Sequence, residues 1–212
     1  MIGVRFPHVV NVRNMLGTKC WSLFELGFAA AALLTIAVSL VAVPGGGGLL
    51  GAGLALVVIV IARIDAREFI IPNMLVVAAL ALGLCNAALT APAGIVEGLL
   101  AALGRGATFA LLFFALQLGY RWLRRREGLG LGDVKLAAAG GTWLDWATIP
   151  AVIEIAAAAA LTVYLVSYLV GQRDEPLRLN SRLPFGLFLA PAIWLGWLLQ
   201  SLSAPIAMGP SY

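Results

Sequence analysis

Charge is what this sequence has least of: of its 212 residues only 11% are Asp, Glu, Lys or Arg, while 62% are hydrophobic. A soluble domain carries roughly 25% charged residues to face water, so this balance excludes an ordinary water-soluble globule and makes the bilayer the expected solvent. Histidine occurs once, as His8, and cysteine twice, as Cys20 and Cys85. A lone histidine in a polar tail has no second ligand and reads as exposed and inert. Two distant cysteines without a C-x-x-C indicate neither a disulfide framework nor a zinc site, so no metal and no cofactor is expected. Residues 1–21 lack the compact apolar run and cleavage site of a secretory signal, so no processing is expected. Internal repeats and disordered tracts are missing too.

What is present is apolar sequence in long blocks. A helix needs ~20 predominantly apolar residues to cross the hydrocarbon core. Seven stretches qualify, at 22–43, 46–62, 70–90, 99–120, 134–149, 151–171 and 184–203, the fifth being the weakest. The connectors are short, as in Pro44-Gly45-Gly46-Gly47-Gly48, and leave no room for a soluble domain. The expected fold class is therefore all-α: a polytopic membrane protein of about seven transmembrane helices. Its parts are a short basic segment over 1–21, a membrane domain over 22–203 and a tail over 204–212.

With a cytoplasmic N-terminus, alternate crossings place residues 1–21, 63–69, 121–135 and 172–183 on one side. Those segments hold Arg5, Arg13, Lys19, Arg63, Arg67, Arg121, Arg124, Arg125, Arg126, Lys135, Arg173, Arg178 and Arg182, leaving only Arg105 elsewhere. The distribution obeys the positive-inside rule and accounts for the net charge of +4 without nucleic acid as a partner. The Arg121-to-Arg126 run sets topology, with anionic lipid as a secondary partner.

Charges are costly near the bilayer, about 2.5–3.5 kcal/mol at its centre, so acids at span boundaries are informative. Asp65 closes the second span in Arg63-Ile64-Asp65-Ala66-Arg67-Glu68-Phe69-Ile70-Ile71-Pro72-Asn73, where Pro72 suits the first turn of the next helix. Asp133 follows Gly128-Leu129-Gly130-Leu131-Gly132 and opens the fifth span. Both carboxylates would then lie at similar depth on the cytoplasmic side. Singly, each has an idle explanation: Asp133 as a helix N-cap, Asp65 as a solvated loop acid beside two arginines. Gly130 and Gly132 either let backbone approach closely or take positive φ, or simply form a flexible connector. Glu154 in the sixth span reads as structural, neutral between helices or shallower than the span boundaries imply; Glu25 and Glu97 belong near interfaces. Trp143, Trp146, Trp194 and Trp197 read as interfacial or packing aromatics. Ala156 to Ala160 and Gly104, Gly106 and Gly119 suggest close helix packing.

Taken together, Asp-x5-Ile-Pro at Asp65 and Gly-Leu-Gly-Asp-Val-Lys ending at Lys135 resemble the two motifs of the type IV prepilin peptidases. The segments Gly132 to Leu144 and Leu183-Pro184-Phe185-Gly186-Leu187-Phe188-Leu189-Ala190 are similar to that family as well, and the likeness covers roughly 22–203. It implies removal of the short basic leader from prepilins or pseudopilins at the cytoplasmic face of a bacterial inner membrane. Asp65 and Asp133 match the catalytic positions, with Gly130, Gly132, Lys135 and Pro72 as supporting residues. Full-length members of the family carry an extra first span and a cysteine-bearing insert before the similar region. The expectation is thus a short form, a peptidase without methyltransferase activity.

The chemistry suits the residue types independently. Two nearby carboxylates cannot easily both ionise, so one holds a proton while the other draws a proton from water. Presenilin-type proteases share the Gly-x-Gly-Asp element but pair it with a Tyr-Asp that is missing here. Two further readings are a small transporter using Asp65, Asp133 and Glu154, and a noncatalytic component of a secretion apparatus. Midplane acids beside broken helices, usual for transport, are not what this sequence offers.

Overall fold

The structure, a computed structural model, describes residues 18–92, 94–124, 130–170 and 184–203. His8, Arg5, Arg13, the Arg125-Arg126 pair, Gly128, the connector bearing Arg173, Arg178 and Arg182, and the 204–212 tail lie outside the described residues. Among the described residues the chain is helical throughout: α1 (Thr18–Ala42), α2 (Gly46–Glu68), α3 (Asn73–Thr90), α4 (Ile95–Arg124), α5 (Leu131–Trp143), α6 (Thr148–Val170) and α7 (Gly186–Ser203). All but α5 are long and apolar enough to cross a membrane. Helices predominate because a segment in hydrocarbon must satisfy every backbone donor and acceptor within itself. The outward faces are rich in leucine, as at Leu33, Leu49, Leu100 and Leu161, which suits lipid rather than water.

The fifth helix departs from the expected 134–149 span. It starts earlier, stops at Trp143, and at 13 residues is only ~20 Å long, too short for a ~30 Å core. Leu144 leaves it in an extended conformation, and the Asp145 carbonyl accepts the N–H groups of Thr148 and Ile149 to start α6. What α5 lacks in length it makes up in burial. It packs against α3, α4 and α7, with Leu136, Ala137, Ala139 and Gly140 to Trp143 all buried.

Small residues make that burial possible. A Cβ on Gly141 would lie 2.7 Å from the Arg105 carbonyl oxygen and from the Gly106 Cα, and one on Gly106 would lie 2.8 Å from the Ala138 carbonyl. Backbones of α4 and α5 therefore touch directly, as small-residue helix pairs do in membranes. Gly104 and Gly119, read from the sequence as part of the same packing stripe, face open space instead at Cβ. On the other side of α5, Trp143 Nε1 donates to the Ala79 carbonyl at 2.8 Å and its ring meets Trp197 edge-on, centroids 5.9 Å apart. Trp143 and Trp197 are core residues, while Trp146 is exposed.

The α4–α5 contact tolerates no side chain. Replacing Gly141 by leucine is expected to lower stability by about 1–3 kcal/mol through forced separation of the helices. Gly104→Ala, in open space, should be silent. Thermal unfolding in detergent compares the two.

Candidate active site

α2, α5 and α7 bring the candidate residues together at one end of the bundle. Asp65 lies in the last turn of α2 and Asp133 in the first turn of α5; both are buried, at 5% and 8% exposure. Neither matches its idle explanation. Asp65 is not a solvated loop acid, because α2 runs on to Glu68 and carries it inside. Nor is Asp133 the N-cap of α5. That place belongs to Gly130, and Asp133 stands three residues further on, its Oδ2 accepting the Gly130 N–H at 3.1 Å. This is half of a capping box, in which the acid at the third helical position reaches back to the cap.

Asp65 is held by a different element. Its Oδ2 accepts the Leu187 N–H at 2.9 Å, and the Gly186 N–H adds to the same carboxylate. Both amides belong to the start of α7, where unsatisfied N–H groups and the helix dipole favour an anion. Arg63 and Arg67, the neighbours of Asp65 in sequence, turn to α1 and pair with Glu25. Arg63 Nη2 sits 2.7 Å from Glu25 Oε2, with Arg67 on the other carboxylate oxygen. Glu25 thus ties α1 to α2 beside the site.

The two acids also feel one another. Asp133 lies outside the six membrane-length helices. Burial pushes its carboxyl up to about 6; the Gly130 hydrogen bond pulls it down, and the charge on Asp65 pushes it up. The protonation of Asp133 therefore responds to the charge state of Asp65.

Ile71 closes the arrangement. A Cβ on Gly132 would sit 3.1 Å from the Ile71 Cβ, and one on Gly186 would sit 2.7 Å from the Ile71 Cδ1 and 2.8 Å from the Asp65 Oδ2. The glycines serve close approach rather than unusual backbone. Gly130 has φ −79°, and Gly132 is not among the described residues with positive φ. The positive φ falls instead on Phe69, at 54°, whose N–H closes α2 on the Asp65 carbonyl. For a bulky residue that conformation costs about 1–3 kcal/mol. Pro72 then bars α-helix at Ile71 and becomes the N-cap of α3, one place earlier than the first turn read from the sequence. Phe69 and Pro72 together reverse the chain so that Ile71 folds back against Gly132 and Gly186. Lys135 is exposed and donates to Asn73 Oδ1 at 3.0 Å, joining α5 to the start of α3 without reaching the carboxylates.

Ile71, Gly186, Leu187 and Glu25 were not picked out from sequence as site residues. Gly186 and Leu187 lay inside the Leu183-to-Ala190 likeness, which was their one available signal; Glu25 looked like an interfacial acid. Glu154, by contrast, stays apart from the pair. It is exposed on the outer face near the opposite start of α6, not hydrogen-bonded between helices. Among the described residues, no group of His, Cys, Asp and Glu is placed to hold a metal.

A bundle of membrane-length helices with a buried, coupled carboxylate pair at one end defines a polytopic membrane protein of aspartic-peptidase type. The chain belongs to the type IV leader peptidase family, whose model matches residues 52–166, a segment holding both Asp65 and Asp133. It is similar to the leader peptidase HopD of Escherichia coli, 35% identical over 63% of this chain and 82% of that protein. It is likewise similar to the prepilin leader peptidase/N-methyltransferase of Burkholderia pseudomallei, 35% identical over 85% of this chain but 54% of the relative. The counterpart from Aeromonas hydrophila is 31% identical over 79% and 55%. The chain therefore spans about half the length of these bifunctional relatives and most of HopD. No solved structure matches it.

Gly186→Ala is expected to cut activity far more than it cuts abundance. The new methyl would crowd the Asp65 Oδ2 from 2.8 Å and push the carboxylate aside, and misplacing a reacting group by ~1 Å costs on the order of a hundredfold. Leader cleavage per unit of membrane-inserted protein measures it.

Proposed function

We propose that this chain is a membrane aspartic endopeptidase that removes the basic leader from type IV prepilins or pseudopilins, with Asp65 and Asp133 as the catalytic pair. The observation that carries the reading is the burial of both acids, from two distant motifs, at one end of the bundle within the family match. The excess of arginine and lysine on one side supports a cytoplasmic orientation for that end, and on this reading the membrane is a bacterial inner membrane, where a leader waits ahead of its apolar helix. The N-methyltransferase half of the relatives' names remains theirs; cleavage is the activity assigned here.

The pair works with one shared proton. The ionised carboxylate takes a proton from a water molecule as the water oxygen bonds to the scissile carbonyl carbon. The protonated partner gives its proton to the carbonyl oxygen, forming a tetrahedral diol. Collapse restores the carbonyl, breaks the C–N bond and delivers a proton to the departing amine. Each carboxylate has one oxygen anchored by backbone N–H, from Leu187 and from Gly130, which leaves its other oxygen for these transfers. Backbone anchors of this kind hold the acids in place without side-chain reorganisation. Lys135 and Pro72 act at a distance, by setting the junction of α3 and α5.

Asp65→Asn and Asp133→Asn are each expected to reduce cleavage of a prepilin by at least about 10³-fold while the protein still accumulates in membranes. Normal cleavage by either variant would end the assignment. The pH dependence follows from the shared proton. Once the raised carboxyl ionises the general acid is gone, so the rate should fall on the alkaline side through a limb at about 6 or above, clear of the ordinary carboxylate range. At low pH, protonation of both acids removes the base. A pH–rate profile on detergent-solubilised enzyme reads both limbs.

A further inference from the structure

Beside the carboxylates, α1 stands off from α7. It packs along α2 and makes little contact with α7, and between α1, α2, α6 and α7 lies a cavity of about 590 Å³. Ile59 and Ala62 of α2 line it six and three residues ahead of Asp65. Leu187, whose amide holds Asp65, lines it from α7. The cavity and the candidate catalytic centre therefore share a wall.

Its length and chemistry suit an apolar helix. Along α1 the lining runs from Phe24 to Thr35, twelve residues or ~16 Å of helix, about three turns, starting beside Glu25 and reaching past the middle of the helix. Gly27 and Ala31 present small surfaces one turn apart, and a Cβ on Gly27 would meet nothing within 4 Å. The polar groups that border it are already spent. The Thr35 hydroxyl donates to the Ala31 and Ala32 carbonyls, and Trp194 Nε1 donates to Ser39 Oγ at 2.9 Å. A lining with no polar demand suits a partner whose own backbone bonds are satisfied internally, which in hydrocarbon means an apolar helix.

We propose that this groove is the dock for the substrate's transmembrane helix, its first three turns lying between α1 and α6 over α7, so that the peptide bond preceding the helix arrives at Asp65 and Asp133. The proposal rests on the leader-peptidase reading above. The polar cluster of Glu25, Arg63 and Arg67 at the same end marks where the apolar dock stops and the leader begins. Selectivity for a leader that is followed by an apolar helix comes from this dock, because binding energy gathered away from the scissile bond positions it for attack.

The test places a photo-crosslinking residue, p-benzoylphenylalanine, at Gly27 or Ala159 in the Asp133→Asn chain, co-reconstituted in vesicles with an intact prepilin. Leu111 on the outer face of α4 serves as control. Adducts should map to the substrate's apolar helix from 27 and 159 and not from 111. In the native chain, Gly27→Trp and Ala159→Phe should slow cleavage by about tenfold to a hundredfold. Failure of the native chain to cleave the prepilin would sink the peptidase reading itself. Native cleavage with adducts to lipid alone, or equal substrate adducts from Leu111, would overturn the dock, as would wild-type rates in both filled variants.

Discussion

Removing a carboxylate from water costs more than any single contact returns, and this chain does it twice, at Asp65 and Asp133, within one end of one bundle. Much of the surrounding architecture answers that demand. The start of α7 supplies N–H groups to Asp65, and the cap of α5 supplies one to Asp133. Asp65 is held from another helix and Asp133 by the cap of its own, so the first is fixed by the way α2 meets α7 and the second by the way α5 begins.

The short α5 is part of the same solution. A helix that crossed the membrane fully would be fixed at both ends; α5 is fixed instead by sideways burial, backbone against α4 at Gly106 and Gly141 and Trp143 against α3 and Trp197. That packing sets the depth of Asp133. The depth of Asp65 is set by the reversal at Phe69 and Pro72, whose strained backbone is sustained by the contacts Ile71 makes with Gly132 and Gly186. Glu25 draws Arg63 and Arg67 toward α1, which gives the acids' end of the bundle its polar edge.

Helix number and type were legible in the sequence because the bilayer imposes length and apolar content with little tolerance, and the ends of α1, α3 and α7 fell within a few residues of expectation. The length of α5 was not. Leu144 continues the apolar run of Leu136 to Trp143, and hydropathy carries no signal for an extended residue in apolar surroundings. Asp65 and Asp133 were legible from motif and position, as were Gly130 and Gly132, although the reason for Gly132 is proximity to Ile71 rather than backbone freedom. The parts of the site that sequence did not reveal are those made by main chain and by distance. The Leu187 amide has no residue signature, and Glu25 stands 38 positions from the arginine it meets.

The proposed action of Asp65 and Asp133 as one unit is what leader cleavage depends on. Its most direct test compares residual cleavage by Asp65→Asn, Asp133→Asn and the double variant, each normalised to membrane-inserted protein. A unit gives grossly non-additive losses, the double variant being no slower than the slower single. Losses that multiply, or a single variant that retains substantial cleavage, would contradict it.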